Sequence, residues 1–90
     1  MKPFSWNPEK NLLLKIQRNI SFEDAIIGIT EHGLLDIIQH PNKKKYPGQK
    51  IFVVEIDHYA YLVPFVENEK TIFLKTIIPS RAATKKYLII

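Results

Sequence analysis

"IFVVEIDHYAYLVPFVENEKTIFLKTII", residues 51–78, is the stretch that decides the fold. Ile51–Asp57 is rich in β-branched residues, and Asp57-His58 is typical of a tight turn into a second apolar run, Tyr59–Val66. The polar segment Glu67–Lys70 separates this run from a third, Thr71–Ile78. We therefore predict antiparallel strands joined by short hairpins.

Large apolar residues occupy both alternating faces of the second and third runs. An antiparallel sheet with one face in water alternates more regularly, so we expect either the terminal helix or a partner to cover the second face. Pro64 lies inside the second run and has no N–H to donate to a strand ladder. It therefore predicts a sheet edge or a bulge at that position.

Two amphipathic helices are predicted before the hairpins. Asn7-Pro8-Glu9 is typical of a helix start, and the apolar residues that follow at helical spacing are Leu12, Leu13, Ile16 and Ile20. Ser21-Phe22-Glu23-Asp24 resembles a capping box, which predicts a second helix from about Phe22 to Glu31 with Gly33 as its stop.

The remaining elements are short. Phe4-Ser5-Trp6 and Leu34–Gln39 have strand-like patterns, and Ser80 can cap a final helix, Arg81–Leu88. The predicted fold class is α+β, a single domain over residues 1–90. The N-terminal helices are expected to pack on one face of a three- to four-stranded antiparallel sheet, followed by a short C-terminal helix.

The charge is unevenly distributed along the chain. The 90 residues carry a formal net charge of +4, with −1 in residues 1–39 and +5 in residues 40–90. A basic half indicates nucleic acid, an acidic protein or a membrane surface as the partner. The alternative is a basic surface that only faces solvent.

Several classes of protein are excluded or disfavoured. The chain has no cysteine, which excludes disulfides, thiolate catalysis and Cys-based zinc sites, and which fits a cytoplasmic location. The polar N-terminus does not resemble a signal peptide, and no apolar run approaches a membrane span. The scattered glycines and the widely separated His32, His40 and His58 predict neither a nucleotide cofactor nor a metal site.

The segment "HPNKKKYPGQK", residues 40–50, is the most basic stretch. Histidine, lysine, arginine and tyrosine suit RNA cleavage without a metal, because the reaction needs proton transfer and cationic stabilisation of the phosphate. His40 is the candidate general acid or base, and Tyr46 can stack on a base or hydrogen bond. The residues expected to track phosphates are Lys43, Lys44, Lys45 and Lys50. The alternatives are an exposed loop histidine and a lysine run that protects a strand edge.

The predicted last helix adds two further cations. Arg81 at its start could bind a phosphate with its guanidinium, and Lys85 could face the same way. The alternatives are a salt bridge from Arg81 to Glu55 or Asp57, and an ordinary solvated helix surface for Lys85.

The opening "FSWNPEKNLLLKIQRNISFEDAI" resembles the start of the BrnT family of bacterial type II toxins. Members begin with an aromatic-x-W-[ND]-x-x-K segment, then a helix, then [VI]-S-F-E-[ED]-A. The matching residues are Phe4, Trp6, Asn7, Lys10, Ile20, Ser21, Phe22, Glu23, Asp24 and Ala25. Near the other end, "IIPSRAATKKY" resembles the family's ending at Ile77, Ile78, Arg81, Ala83 and Thr84. His40 lies where members often carry a histidine.

The resemblance implies a RelE-like ribonuclease fold and inhibition of translation by RNA cleavage. It further implies a cognate antitoxin, usually a small ribbon-helix-helix protein, and a toxin–antitoxin complex that binds its own operator DNA. On this basis His40 and Arg81 are the expected catalytic residues, and RNA is the expected substrate.

The chain departs from the family pattern in its middle, residues 34–75. Members often have an acidic residue on entering the second strand of the sheet, where this chain has Gly48-Gln49-Lys50. If that acidic residue is a base, this protein must use another group. The alternative function is therefore a catalytically degenerate, toxin-like module that only binds RNA or an antitoxin.

Overall fold

The computed structural model describes residues 2–89, which form three helices and six strands. In chain order these are β1 (Phe4–Ser5), α1 (Pro8–Arg18), α2 (Phe22–Thr30), β2 (Leu34–Gln39), β3 (Lys50–Ile56), β4 (Tyr59–Glu67), β5 (Ile72–Leu74), β6 (Ile78–Pro79) and α3 (Arg81–Tyr87). The α+β class predicted from the sequence is confirmed.

The β3–β4 hairpin forms the centre of the sheet. Its register runs from Lys50 opposite Phe65 to Ile56 opposite Tyr59. Asp57 and His58 join the strands with positive φ values of 51° and 66°. Positive φ at both central residues is the signature of a type I′ turn, whose twist matches that of the flanking strands. The tight turn predicted at these two residues is confirmed.

The sheet is mixed and larger than predicted. Its strand order is β1-β5-β4-β3-β2, and β6 pairs with β4. β1 runs parallel to β5, with Phe4 opposite Ile72, whereas the other pairs are antiparallel. The prediction of three to four antiparallel strands is therefore wrong. β1 lies within the predicted strand Phe4-Ser5-Trp6. The predicted strand Thr71–Ile78 is divided into β5 and the two-residue β6, which is too short for alternation to be detectable.

Pro64 lies in the central strand β4, so the predicted sheet edge is wrong, but the predicted bulge is present opposite it: the three steps from Leu62 to Phe65 face four steps from Leu74 to Ile78. The predicted strand Thr71–Ile78 is interrupted opposite this proline: β5 ends opposite Phe65, and β6 begins opposite Leu62. The Pro64 carbonyl accepts a hydrogen bond from the Lys75 N–H at 2.8 Å. Pro64 has no N–H to donate to the neighbouring strand, but that strand is interrupted at this position. No hydrogen bond of the ladder is therefore lost.

One face of the sheet carries α1 and α2. The alternate residues Phe52 and Val54 of β3 and Val63 and Phe65 of β4 pack in one cluster with Leu14, Ile20, Phe22, Ala25 and Ile29. The Ser21–Asp24 capping box is formed, with Asp24 N–H donating to Ser21 Oγ at 3.1 Å and Ser21 N–H donating to Asp24 Oδ2 at 3.0 Å. Both N-terminal helices begin at the predicted residues.

The opposite face carries α3. Ala83 packs with Val53 and Ala60, and Tyr87 and Leu88 extend this second cluster. The Ala60 N–H donates to the Thr84 hydroxyl at 2.9 Å, and Ser80 caps the helix as predicted. The terminal helix therefore explains the apolar residues on both faces of β3 and β4. The first of the two expectations for the second face, cover by the terminal helix, is confirmed, and the N-terminal helices alone share the other face.

α2 ends at Thr30, one residue before the predicted end, and the Gly33 N–H donates to the Gly28 carbonyl at 2.8 Å, which caps the end of the helix as predicted. Gly33 also permits a close approach between the turn after α2 and β3. A Cβ atom on Gly33 would lie 2.6 Å from the Glu55 carbonyl oxygen. The Glu55 N–H donates to the Gly33 carbonyl at 2.7 Å, so the approach is fixed by a backbone hydrogen bond.

The rotation of α1 about its axis differs from the prediction. Leu12, Leu13 and Ile16 are exposed, whereas Asn11 and Leu14 are buried. The Asn11 side chain accepts from the Phe22 N–H and donates to Glu23 Oε1, both at 2.7 Å. A buried polar group is costly unless it is paired, so these two bonds hold the polar residue inward and leave the apolar ones outside.

We expect Asn11→Ala to lower the free energy of unfolding by about 1–3 kcal/mol, because the buried Phe22 N–H loses its acceptor. Urea unfolding followed by circular dichroism measures this loss. Gln17→Ala, at an exposed position of the same helix, is the matched control and should change the value by less than about 0.5 kcal/mol. Equal effects of the two substitutions would contradict the role given to Asn11.

Candidate nucleic-acid interface

Residues 40–50, here called the basic loop, have a defined backbone structure between β2 and β3. The His40 N–H donates to the Gln49 carbonyl at 3.0 Å, which closes the loop. Above this bond, residues 43–46 form a single helical turn, in which the Tyr46 N–H donates to the Asn42 carbonyl at 3.0 Å. Asn42 Oδ1 caps the turn by accepting from the Lys45 N–H at 3.1 Å.

A second turn leads the basic loop into β3. The Gln49 N–H donates to the Tyr46 carbonyl at 3.2 Å, with Pro47 and Gly48 between them. Gly48 has a φ of 74°. Proline followed by a residue with positive φ is the signature of a type II turn, which requires glycine or asparagine at the second position. The two turns therefore fix the path of the loop through backbone geometry.

His40 is held in one orientation by the basic loop. Its Nδ1 accepts a hydrogen bond from the Asn42 N–H at 3.1 Å. Its ring packs against Tyr46 with centroids 4.3 Å apart and planes tilted by 34°. Because Nδ1 is the acceptor, the proton of the neutral ring lies on Nε2. His40 therefore offers a hydrogen-bond donor on its Nε2 side.

The lysines of the basic loop are exposed and free of ion pairs with the described residues. Lys43, Lys44 and Lys45 follow one another around a single helical turn, and Lys50 opens β3. None forms a salt bridge with a carboxylate of residues 2–89. Lys45 Nζ lies 5.5 Å from the centre of the Tyr46 ring. The basic loop thus concentrates unneutralised positive charge around a pair of rings.

Arg81 and Lys85 are exposed on α3. They are four residues apart and share one helix face, which Lys86 extends. The alternative ion pair from Arg81 to Glu55 or Asp57 does not form within residues 2–89. Instead, Glu55 Oε2 lies 3.7 Å from Nδ1 of His58. We call Arg81, Lys85 and Lys86 the α3 basic patch.

The structure does not bring Arg81 beside His40. Ser80, next to Arg81, donates its N–H to the Ala60 carbonyl at 2.9 Å, and Ala60 lies opposite Glu55. The basic loop begins at the other end of β3, five residues away, which is about 17 Å of extended chain. The two predicted catalytic residues therefore belong to two separate basic patches, which a single bound strand of several nucleotides could bridge.

Asn42 and Gln49 were not predicted as structural elements of the site. Gln49 is buried, at 9% exposure, whereas residues 41–48 are all exposed. Its backbone closes the basic loop through both its N–H and its carbonyl. The sequence did carry local signals: an asparagine three residues before Lys45 is typical of a cap, and Pro-Gly is typical of a turn.

An acidic cleft lies at the opposite end of the β3–β4 hairpin. It has a volume of about 370 Å³, and a second cleft of about 300 Å³ adjoins it and shares four of its residues. No residue of the basic loop lines either cleft. The acidic residues that line them are Asp24, Glu31, Glu55 and Asp57. Negative charge is therefore separated from the basic loop by the length of the hairpin.

Tyr87 attaches the end of α3 to β2. Its hydroxyl donates to Asp36 Oδ2 at 2.6 Å. This hydrogen bond, together with one from the Ile37 N–H, lowers the pKa of the Asp36 carboxyl. The same bond to Asp36 raises the pKa of the Tyr87 hydroxyl. Both shifts favour the pair in which Asp36 is ionised and Tyr87 is neutral, so the bond persists across the neutral range.

Comparison of the chain with protein-family models, with curated proteins and with solved structures finds no match. Within residues 2–89, no cluster of three or more histidine and carboxylate side chains is arranged to hold a metal ion. None of the three helices in this part of the chain has the length and apolar character needed to cross a bilayer.

Tyr87→Phe should lower the melting temperature at neutral pH, because Asp36 loses its hydroxyl donor. The Asp36 contribution is lost as pH falls through its lowered pKa, and the Tyr87 contribution is lost as pH rises through its raised pKa. The difference between wild type and variant should therefore be constant from about pH 5 to 8 and shrink at both extremes. Thermal melts across pH measure it, and a difference independent of pH would contradict this account.

Proposed function

We propose that this protein is the toxin of a type II toxin–antitoxin system, a metal-independent endoribonuclease that binds RNA through the basic loop and inhibits translation. The observation that carries the proposal is the ordered basic loop, in which the His40–Tyr46 ring pair lies beside Lys45 and the lysines have no ion pair among residues 2–89. The resemblance of both ends of the chain to the BrnT family supports the choice of RNA cleavage over other uses of a basic surface.

In the proposed complex the lysines of the basic loop contact phosphates, and an unstacked base packs on the exposed side of Tyr46. His40 donates its Nε2 proton to the substrate. Proteins recognise RNA sequences mainly in single-stranded regions, where bases can leave the helix and stack on aromatic rings. A single-stranded substrate therefore fits a loop with one ring pair surrounded by cations.

Cleavage would proceed by attack of the 2′-oxygen on the adjacent phosphorus. The 2′-hydroxyl gives its proton to a hydroxide ion from solvent, since the basic loop has no carboxylate to accept it. The bond from phosphorus to the 5′-oxygen breaks, and the 5′-oxygen gains a proton. The imidazolium form of His40, in which Nδ1 is also protonated and no longer accepts from the Asn42 N–H, supplies that proton from Nε2 and becomes neutral. Lysine ammonium groups stabilise the negative charge that develops on the phosphate oxygens. The products are a 2′,3′-cyclic phosphate and a 5′-hydroxyl.

The proposed partner that neutralises the toxin is a cognate antitoxin, a ribbon-helix-helix protein whose complex with the toxin binds operator DNA. This part of the proposal rests on the family resemblance. A short adjacent gene encoding a ribbon-helix-helix protein would support it.

The second candidate function is a catalytically degenerate module that binds RNA or an antitoxin without cleaving. Two observations favour it. The basic loop contains no carboxylate to accept the 2′-hydroxyl proton, and Arg81 lies about 17 Å of strand length away from the loop. In this second candidate function, the basic loop and the α3 basic patch bind and position RNA without cleaving it.

The contribution of the basic loop to RNA binding is testable with a single-stranded RNA oligonucleotide and fluorescence anisotropy. Replacing Lys43, Lys44 and Lys45 by alanine should weaken binding and reduce the slope of log K against log salt by about 2, because three phosphate contacts are lost. The matched control replaces Lys10, Lys15 and Lys70, which removes the same charge elsewhere. Equal losses in the two triple variants would rule out a specific contact surface.

Cleavage is testable by induction in a bacterium without antitoxin, with mapping of RNA ends, and by incubation of purified protein with labelled RNA in chelator. Wild type should arrest growth and leave 2′,3′-cyclic phosphate ends. His40→Ala should remove cleavage but retain RNA binding, whereas His32→Ala, at an exposed histidine outside the loop, should retain both. If soluble wild-type protein leaves growth and RNA unchanged but still binds RNA, the second candidate replaces the first.

A further inference from the structure

The outward face of α1 is apolar. Leu12, Leu13 and Ile16 are 59%, 48% and 72% exposed. At 3.6 residues per turn, their mean direction lies about 180° from that of the buried Asn11 and Leu14. The helix therefore has a row of aliphatic side chains opposite the face that packs on the sheet. We call these three residues the α1 stripe.

The α1 stripe is fixed outward by the fold. Asn11 is held inward by its bonds to the Phe22 N–H and to Glu23, so α1 cannot rotate to bury the stripe without breaking both. Arg18 Nη1 adds a third restraint by donating to the Ile77 carbonyl at 2.7 Å. A contiguous aliphatic row that the chain cannot bury marks an interaction surface.

Positive charge flanks the α1 stripe on both sides. By helical position, Lys10 lies beside Leu13, and Lys15 lies beside Leu12, each about 60° around the helix. Lys15 has a carboxylate neighbour only at 4.0 Å, on Glu23, and both side chains are about half exposed. A partner that covers the stripe therefore meets ammonium groups along both edges, which complement acidic side chains. The one carboxylate of α1, Glu9, lies on the same face but one turn before the stripe, at the N-terminal end of the helix.

We infer that the α1 stripe docks an amphipathic helix of a partner protein, with aliphatic residues on its contact face and acidic residues on both flanks. Anchors three and four residues apart are typical of helix-on-helix recognition, and Ile16 lies three residues after Leu13 and four after Leu12. The inference rests on the proposed function only for the identity of the partner, because the proposed antitoxin is the protein that would supply this helix. It names the surface and the chemistry that such an antitoxin needs.

A second copy of the chain fits the α1 stripe less well. An antiparallel pair with its twofold axis at residue 14 places the Lys15 side chains of the two copies only about 3 Å apart along the helix axis, which is repulsive. Three side chains also supply much less than the roughly 800 Å² per subunit of a typical stable dimer. An acidic helix avoids the repulsion.

The inference is testable on the full chain with two synthetic 18-residue helical peptides. Both carry leucine at heptad positions a and d; one has glutamate at the flanking e and g positions, and the other has lysine there. Isothermal titration and ¹⁵N NMR are the measurements. The glutamate peptide should bind and shift amide resonances of residues 8–18, and the lysine peptide should bind at least about tenfold more weakly.

Variants then locate the binding site. Ile16→Asp should weaken binding of the glutamate peptide by about tenfold or more. Ile27→Asp, at a residue 56% exposed on α2 that lines the acidic cleft, is the matched control and should leave it unchanged. Equal binding of both peptides, shifts outside α1, or no binding to wild type would overturn the inference. So would a concentration-dependent dimer of the free protein that Ile16→Asp abolishes in sedimentation.

The same samples separate this inference from the proposed function. Ile16→Asp should bind and cleave RNA as the wild type does, because the α1 stripe contains no residue of the basic loop. Peptide binding without any RNA binding or cleavage would reject the proposed function and retain the docking surface. RNA cleavage without peptide binding would retain the proposed function and reject the docking surface.

Discussion

The register of the β3–β4 hairpin is the constraint on which the rest of the structure depends. Both strands are buried on both faces, with Phe52 and Val54 turned toward α1 and α2 and Val53 turned toward α3. A slip of one residue would exchange these faces and misplace both layers of helix. The two-residue turn at Asp57 and His58 removes that freedom, because its positive φ values commit the strands to one pairing.

The ends of this hairpin determine where charge accumulates. At one end, β3 begins at the basic loop, and at the other the turn borders the acidic cleft. The two regions are separated by the length of the strands, so their charges do not neutralise each other across the surface. The proposed RNA ligand, a polyanion, would be attracted to the basic loop and repelled by the acidic cleft. The net charge of the chain does not show this separation of charge, because it sums the charges at both ends of the hairpin.

Polar side chains fix the orientation and attachment of several elements around this small core. Asn11 sets the rotation of α1, the Thr84 hydroxyl pairs with the backbone N–H of Ala60, and Tyr87 attaches α3 to Asp36. Each pairs a group that would otherwise be left without a partner at an element junction. Of the two surfaces proposed for recognition, the α1 stripe is held outward by hydrogen bonds of Asn11, which lies outside it, whereas the basic loop is held by hydrogen bonds among its own residues.

The sequence by itself determined the elements whose signals are local. The starts of α1 and α2, the cap of α3 and the Asp57-His58 turn depend on neighbouring residues and were predicted at the correct positions. The segment later found as the basic loop was also recognisable, since four lysines within eleven residues are visible without a structure. Such features depend on interactions between residues close together in sequence, so they can be predicted without a structure.

The tertiary structure decided what depends on distant residues. Helical spacing placed Leu12, Leu13 and Ile16 on one face of α1. It did not indicate that Asn11 would be buried instead, because Asn11 is held inward by hydrogen bonds to Phe22 and Glu23 in the next helix. The two-residue strand β1 pairs with β5 about 70 residues later in the chain, and the separation of Arg81 from His40 follows from the register of β4. These outcomes are set by contacts between segments far apart in sequence, for which local periodicity carries no signal.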